Sequence, residues 1–118
     1  MATYDAYVEA HRRGREERRR DLAAQAKRAR ACAETAAVAL SALGVRRVVL
    51  FGSLVRGTFG ERSDIDLAVE GLPDGQLIAA EVLANAESTF DVSVARLEDA
   101  PAHIRLAIDR EGIELWRR

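Results

Sequence analysis

The feature that most constrains how this chain folds is a proline-free stretch at residues 4–43, which contains a single glycine, Gly14. Its residues are mostly Ala, Arg, Glu, Leu and Lys, which have high helix propensity. Apolar side chains recur every three or four positions along it: Leu22, Ala26, Ala29, Ala33, Ala36 or Ala37, Leu40 and Leu43. This spacing forms one apolar stripe on an α-helix, and Gly44 follows where a helix commonly ends. We therefore predict a long N-terminal helical segment, with a break near Gly14 and the charged residues 12–20 that divides it into a short and a long helix.

The hydrophobic pattern changes after Gly44. Short apolar or alternating runs predict strands at 45–51, 64–69, 90–97 and 113–116. Helical patterns predict helices at 54–59, 76–87 and 101–110, the first with Ser53 as its N-cap. This order predicts an α+β fold, a small mixed β-sheet with flanking helices, preceded by the N-terminal helical segment. We assign residues 1–44 to that segment, which packs on the core or extends from it, and residues 45–118 to the core.

Composition limits the classes of protein that fit. With 118 residues, 48% of them hydrophobic, the chain has enough apolar surface for one domain with a buried core. The net charge of −1 conceals an asymmetry, since residues 1–47 carry +5 and residues 48–118 carry −6. A basic N-terminal helix suits phosphate or an acidic partner, and it is also a candidate homo-oligomer interface. We do not expect direct nucleic-acid binding, because no aromatic residue is interleaved in the arginine-rich run for base stacking.

Cysteine and hydropathy indicate the compartment. Cys32 is the single cysteine, so no internal disulfide forms, as is usual in a reducing environment. The first ten residues lack the apolar core of a signal peptide, and no apolar run reaches the ~20 residues that span a bilayer. We therefore expect a cytoplasmic protein without a membrane segment.

Two acidic residues begin the second predicted strand. Asp64 and Asp66 are two positions apart, so their side chains project from the same face of the strand, while Ile65 and Leu67 face the core. Two carboxylates this close repel each other unless a cation lies between them. Aspartate has a short side chain with carboxylate oxygens, which are ligands that Mg²⁺ prefers. A bound Mg²⁺ also keeps coordination positions open for water and phosphate. The pair therefore predicts a magnesium site for nucleotide chemistry.

A third acid stands at the beginning of the third predicted strand. If that strand lies beside the second, Asp91 joins Asp64 and Asp66. Three acids can then hold two metal ions that flank an in-line displacement at phosphorus.

The first predicted strand ends in a pattern that suits phosphate. Gly52 lets a phosphate approach the backbone, and the free amides at a helix start favour anions. The Ser53 hydroxyl can donate to a phosphate oxygen, and Arg56 can reach either phosphate or a nearby carboxylate. The end of the first predicted strand thus predicts a phosphate site, and the second predicted strand predicts the site of the metal ion that binds together with the phosphate.

Together these segments resemble a known family. GS at 52–53, RG at 56–57 and SDID at 63–66 are similar to the signature of the minimal nucleotidyltransferases, in the DNA polymerase β-like superfamily. The resemblance covers residues 45–116 and implies a polymerase β palm-like sheet. It also implies that Asp64 and Asp66 bind Mg²⁺, that Asp91 completes the site, and that the glycine and serine at 52–53 contact the nucleoside triphosphate.

The resemblance implies a function as well. Family members of this size are similar to the antitoxin half of bacterial pairs with a HEPN-type ribonuclease toxin, and to enzymes that move AMP from ATP onto a tyrosine of the toxin. The expectation is an Mg²⁺-dependent protein adenylyltransferase that uses ATP and two Mg²⁺ ions. Two alternatives remain open: a non-catalytic antitoxin that neutralises its partner by occlusion, and a transferase acting on a small molecule such as an aminoglycoside.

Overall fold

The computed structural model describes residues 2–118. The helices are α1 (Ala2–Ser41), α2 (Ser53–Arg56), α3 (Leu77–Asn85) and α4 (Ala102–Glu111), and a 3₁₀ turn covers Leu97–Asp99. The strands are β1 (Arg47–Phe51), β2 (Ile65–Glu70), β3 (Val92–Arg96) and β4 (Ile113–Arg117). All four predicted strands are present, with ends that differ from the predicted ones by one or two residues, because hydrogen-bond pairing and not hydropathy sets where a strand begins.

The N-terminal helix is continuous, so the predicted break near Gly14 is wrong. Gly14 lies within α1 and has open space around it. A glycine inside a helix costs only about 1 kcal/mol, and the neighbouring residues are strong helix formers. Ion pairs one turn apart, such as Arg12–Glu9 and Arg30–Glu34, add further support.

The four strands form one sheet in the order β3-β2-β1-β4. β1 runs antiparallel to both β2 and β4, and β2 runs parallel to β3, with α3 as the crossover between them. The register pairs Phe51 with Asp66 and Asp66 with Ser93. This small mixed sheet with flanking helices confirms the predicted fold class.

The main core lies on the face of the sheet that α1 and α3 cover. The apolar side chains of the strands alternate toward it, and the second half of α1 contributes small residues that allow close approach. Its buried members include Ala29, Ala33, Ala37 and Leu40 of α1, Val48 and Leu50 of β1, Ile65, Leu67 and Val69 of β2, and Val92 and Val94 of β3. Trp116, at the end of the chain, packs against the same cluster.

The opposite face of the sheet is only partly covered. Here α4 places Ile108 on Val49, Ala68 and Leu97, with Phe51 at the margin of this smaller cluster. The part of the face that carries the beginning of β2 lies beyond these contacts, and the site described below lies there.

The molecule is elongated because half of α1 projects from the domain. The radius of gyration is 18.1 Å, against about 13.5 Å for a compact chain of this length, and the longest dimension is 67 Å. Residues 3–24 are exposed, apart from partly covered Glu9 and Gly14, whereas residues 29–40 supply the core. None of the helices within residues 2–118 combines the length and the hydropathy that crossing a bilayer requires.

Candidate active site

The site begins where β1 ends and the chain turns into α2. Gly52 has φ 80° and ψ −152°, a conformation that side-chain-bearing residues rarely adopt, and it occupies the N-cap position of α2. Ser53 is therefore the first helical residue and not the N-cap, which corrects the sequence prediction. The N-cap forms no side-chain hydrogen bond, and the Val55 and Arg56 amides both donate to the Gly52 carbonyl. The amides of the first helical residues have no acceptor within the helix and remain available to a ligand.

Gly52 and Asp66 lie in direct contact across the β1–β2 pair. A Cβ atom built on Gly52 would lie 2.2 Å from Oδ2 of Asp66, far inside van der Waals contact. The close approach follows from the register, in which Phe51 and Asp66 are partners, so the residue after Phe51 lies beside the carboxylate. The absence of a side chain at Gly52 is therefore what makes room for the Asp66 carboxylate.

The two motif acids point to the open face of the sheet. Ile65 and Leu67 are fully buried on the α1 and α3 side, while Asp66 is half-buried and Asp64 exposed on the other side. This is the alternation that the sequence predicts. Within residues 2–118, neither carboxylate forms a hydrogen bond or an ion pair with a side chain. Both carboxylates are therefore free to bind a ligand.

The electrostatics of Asp66 suit a cation. Burial raises the pKa of the Asp66 carboxyl, the nearby charge of Asp64 raises it further, and the charge of Arg56 only partly opposes both effects. A carboxylate in this position is ionised at a cost that a bound cation would offset. Arg56 is exposed at the end of α2 and is close enough to act on Asp66 through its charge.

Asp91 lies beside the pair, as the sheet order requires. It immediately precedes β3, and its carbonyl accepts a 2.9 Å hydrogen bond from the amide of Ile65. Its side chain is exposed, and within residues 2–118 no three carboxylate, imidazole or thiol groups converge on one point. The structure therefore brings Asp64 and Asp66 together and places the backbone of Asp91 next to them, while the Asp91 carboxylate does not converge on the pair.

Ser93 is a neighbour of the acidic pair that the sequence analysis does not predict. It pairs with Asp66 across the parallel β2–β3 ladder, and it is exposed between the buried Val92 and Val94. The signal was present in the alternation of residues 90–97, because Asp91 and Ser93 are two positions apart and share a face. That shared face places Ser93 beside Asp66 only because β3 lies next to β2, which the sequence does not show.

The donor set fits a magnesium ion. Asp64 and Asp66 offer carboxylate oxygens on one open face, without competing partners among the described side chains, and the glycine beside them leaves the approach clear. Two carboxylates are too few for a closed metal cage, so water or phosphate oxygens would complete the coordination. An arrangement of this kind is typical of sites that bind a metal together with a phosphorylated substrate.

Comparison with known proteins shows which protein family the chain belongs to. The model of the family described as polymerase beta, nucleotidyltransferase, matches residues 34–118, and the chain belongs to this family. The match begins inside α1, so it includes the core residues Ala36, Ala37 and Leu40 of that helix but not Ala29 or Ala33. A search of curated proteins gave no significant match.

Two solved structures share the fold. A toxin–antitoxin crystal structure with AMP-PNP aligns with a TM-score of 0.62 and 24% identity, over 72% of this chain and 73% of that one. A mutant of the toxin–antitoxin MntA–HpeT, in which two aspartates two positions apart are replaced by glutamate, aligns with a TM-score of 0.55 and 23% identity. That alignment covers 63% of this chain and 62% of the other.

Proposed function

We propose that this protein is an Mg²⁺-dependent nucleotidyltransferase that transfers AMP from ATP to a hydroxyl group of a partner protein, and that it acts as the antitoxin of a HEPN-type toxin. Family membership supports the transferase activity. The shared fold with two toxin–antitoxin structures, one of them with AMP-PNP, supports the nucleotide and the antitoxin role. The division into an N-terminal segment, 1–44, and a core, 45–118, remains a prediction.

The observation that carries the proposal is the contact between Gly52 and Asp66. A carboxylate whose ionisation is opposed by burial lies against a backbone with no side chain, at the start of a helix. This combination lets a triphosphate and its metal ion reach the backbone amides and the carboxylate at the same time. A carboxylate serving only a structural role would be expected to have a donor among its neighbours.

Each residue has a proposed role. Asp64 and Asp66 hold the metal ions, and the amides around Gly52, with the Ser53 hydroxyl, bind the triphosphate. Arg56 adds positive charge at the phosphates. Bound Mg²⁺ would stabilise the charge on the phosphates and lower the pKa of the attacking hydroxyl. Asp91 completes the metal site when its exposed carboxylate turns toward the pair.

The transfer forms one bond to phosphorus and breaks another. The acceptor oxygen forms a bond to the α-phosphorus of ATP, the bond from that phosphorus to the bridging oxygen breaks, and pyrophosphate leaves. The hydroxyl proton passes to the Asp91 carboxylate or to water beside it. The products are the AMP-modified partner and pyrophosphate.

The test uses α-labelled ATP, Mg²⁺ and this protein, with either cell lysate or the product of the adjacent gene as acceptor. We expect label on one protein band, and we expect Asp64→Asn to reduce the labelling by at least about 10³-fold, because the metal ligand is lost while the fold is kept. Asp109→Asn, an exposed position on α4, is the matched control and should label like the wild type.

Transfer that survives in Asp64→Asn would show that the site is wrongly assigned. No label with any of the four nucleoside triphosphates, together with tight binding of the toxin, would replace the proposal with neutralisation by occlusion.

A further inference from the structure

The side chain of Asn85 hydrogen-bonds to the backbone of β3 next to the third acid, Asp91. Asn85 is the last residue of α3. Its Nδ2 donates to the carbonyl of Val92 at 2.9 Å, and its Oδ1 accepts from the amide of the same residue at 2.8 Å. Nδ2 also donates at 2.7 Å to the carbonyl of Glu81, one turn back in α3. Both polar atoms of this side chain therefore hold the beginning of β3 to the end of α3.

These hydrogen bonds stand in for a neighbouring strand. Within residues 2–118, β3 is an edge strand that pairs with β2 on one side. Backbone groups of successive strand residues point to opposite sides. Because the carbonyl of Asp91 accepts from the amide of Ile65 in β2, the amide and carbonyl of Val92 point away from β2. Asn85 satisfies both of these groups, so it closes the outer edge of β3 at the position directly after Asp91.

Ser88 holds the residue before Asp91. The Ser88 hydroxyl donates to the carbonyl of Phe90 at 2.6 Å and accepts from its amide at 3.1 Å. The Phe90 ring packs edge-on against the buried Phe59 ring, with centroids 5.7 Å apart. Asp91 therefore lies between two residues whose backbones are bound by side chains, and its own carbonyl is bound to β2.

The location of the Asp91 carboxylate is set by this backbone alone. Within residues 2–118, the carboxylate forms no side-chain hydrogen bond or ion pair. Its side chain can therefore rotate, while its backbone stays fixed relative to β2, which follows Asp64 and carries Asp66.

We propose that Asn85 and Ser88 are positioning residues for the metal site, because they fix the backbone of Asp91 so that a side-chain rotation is enough to bring its carboxylate to Asp64 and Asp66. The inference rests on the role proposed above for Asp91. A ligand on a fixed backbone loses less conformational entropy on binding a metal ion than a ligand on a mobile segment. Asn85 and Ser88 act through Asp91 and are not catalytic residues.

The test measures the binding of Mn²⁺, which suits the same carboxylate ligands as Mg²⁺, to the full chain by electron paramagnetic resonance of the free ion. Asn85→Ala should weaken binding about tenfold, as is usual when a residue that orients a metal ligand is lost. Asp91→Asn should weaken it at least as much, since the ligand itself is lost. Ser88→Ala should also weaken binding, and it replaces Asn85→Ala in every comparison if that variant does not fold.

A double variant shows whether Asn85 acts through Asp91. If it does, Asn85→Ala has no further effect once Asp91 is changed, so the variant with both Asp91→Asn and Asn85→Ala should bind Mn²⁺ as Asp91→Asn does. Independent effects would instead multiply to about a hundredfold loss.

Ala80→Gly is the matched control for stability. Ala80 is buried within α3, and the change to glycine weakens the helix without removing any hydrogen bond of Asn85. Urea unfolding should show that this variant is destabilised, while its Mn²⁺ affinity stays at the wild-type level. A purely structural role of Asn85 predicts that both variants lose affinity together.

Nucleotidyl transfer supplies a separate measurement. Asn85→Ala should raise the Mg²⁺ concentration for half-maximal labelling about tenfold. The KM for ATP at saturating Mg²⁺ should stay unchanged, because the triphosphate site proposed at Gly52 and Ser53 is not altered.

The outcomes separate this inference from the proposed function. Wild-type Mn²⁺ affinity in Asn85→Ala and Ser88→Ala, multiplied losses in the double variant, or an equal loss in Ala80→Gly overturns the positioning role. Coupled losses of Mn²⁺ binding, without labelling of any acceptor by the wild type, support the positioning role and overturn the transfer reaction. A wild type that binds no Mn²⁺ overturns the metal site and the positioning role with it.

Discussion

At the scale of single residues, the candidate site depends on the absence of a side chain at Gly52. Gly52 has a positive φ and lies against Asp66, so it meets two requirements at once: a backbone conformation and a space for a carboxylate. Gly75 has nearly the same φ, 78°, but no atom lies within 4 Å of its added Cβ. Substitutions at the two glycines therefore distinguish the effect of a positive φ from the effect of the clash with Asp66.

We predict that Gly52→Ala reduces nucleotidyl transfer by about 10²-fold or more, because a methyl group displaces the Asp66 carboxylate by roughly an ångström. Gly75→Ala should keep full activity. Both variants should be destabilised by about 1–3 kcal/mol through the strained φ, as urea unfolding measures. Equal losses of activity in the two variants would mean that the Gly52 contact has no role beyond the backbone conformation.

At the scale of elements, the β1–β2 pair is held at its far end by ion pairs. Glu70 of β2 accepts hydrogen bonds from Arg46, at 3.3 Å, and from Arg47, at 3.1 Å. Partial burial opposes ionisation of Glu70, but the two hydrogen bonds and charges outweigh it and hold the pKa of this carboxyl below its usual value. The ionised form is therefore favoured more in the folded chain than in the unfolded one.

We predict a pH dependence from this lowered pKa. Stability from Glu70 is fully present above the ordinary glutamate pKa of 4.5 and is lost as the pH falls through the lower folded value. Glu70→Gln should lower the free energy of unfolding by about 0.5–1 kcal/mol at pH 7 and by less at pH 3, which lies below the ordinary glutamate pKa. Urea denaturation at the two pH values measures the difference, with the exposed loop residue Glu61→Gln as control. A destabilisation that is the same at both pH values would assign the effect to packing.

At the scale of the whole molecule, α1 serves two different environments. Its second half is part of the core, with Ala29, Ala33 and Leu40 fully buried, whereas residues 3–24 are exposed in the single chain apart from partly covered Glu9 and Gly14. An isolated helix of about 20 residues is marginal in water, since its first turn is costly to form. The packed half of α1 has already formed that turn, so residues 3–24 extend an existing helix, and helix propensity and ion pairs such as Arg12–Glu9 stabilise them.

We predict that hydrogen exchange differs between the two halves of α1. Amides of residues 5–20 should exchange at least about ten times faster than amides of residues 29–40, because the second half is buried in the core and the first half is exposed. Mass spectrometry of peptides from the two halves measures both at once. Equal protection of the two halves would show that residues 5–20 are covered in solution.

The sequence determined those features that follow from local geometry. Helix propensity and periodicity gave the long helix, and alternation gave four strands. The two-residue spacing of Asp64 and Asp66 placed both carboxylates on one face, because side chains in a strand alternate whatever the sheet order is. Gly52 followed from its position between an apolar strand and a helix. Two predictions failed on this level. The break at Gly14 failed because one glycine is too weak a signal to end a helix of strong formers. Ser53 was predicted as the N-cap, but Gly52 occupies that position.

The tertiary structure decided what depends on residues far apart in the chain. The order β3-β2-β1-β4 put Ser93 and the backbone of Asp91 beside the acidic pair. The β1–β2 register brought Gly52 against Asp66, and the position of α3 left a groove along α1. No local pattern contains these relations, because they follow from how the apolar faces of distant elements pack around one core. For the same reason the two halves of α1, which belong to one continuous helix, differ in environment: residues 29–40 supply the core, and residues 3–24 are exposed apart from partly covered Glu9 and Gly14.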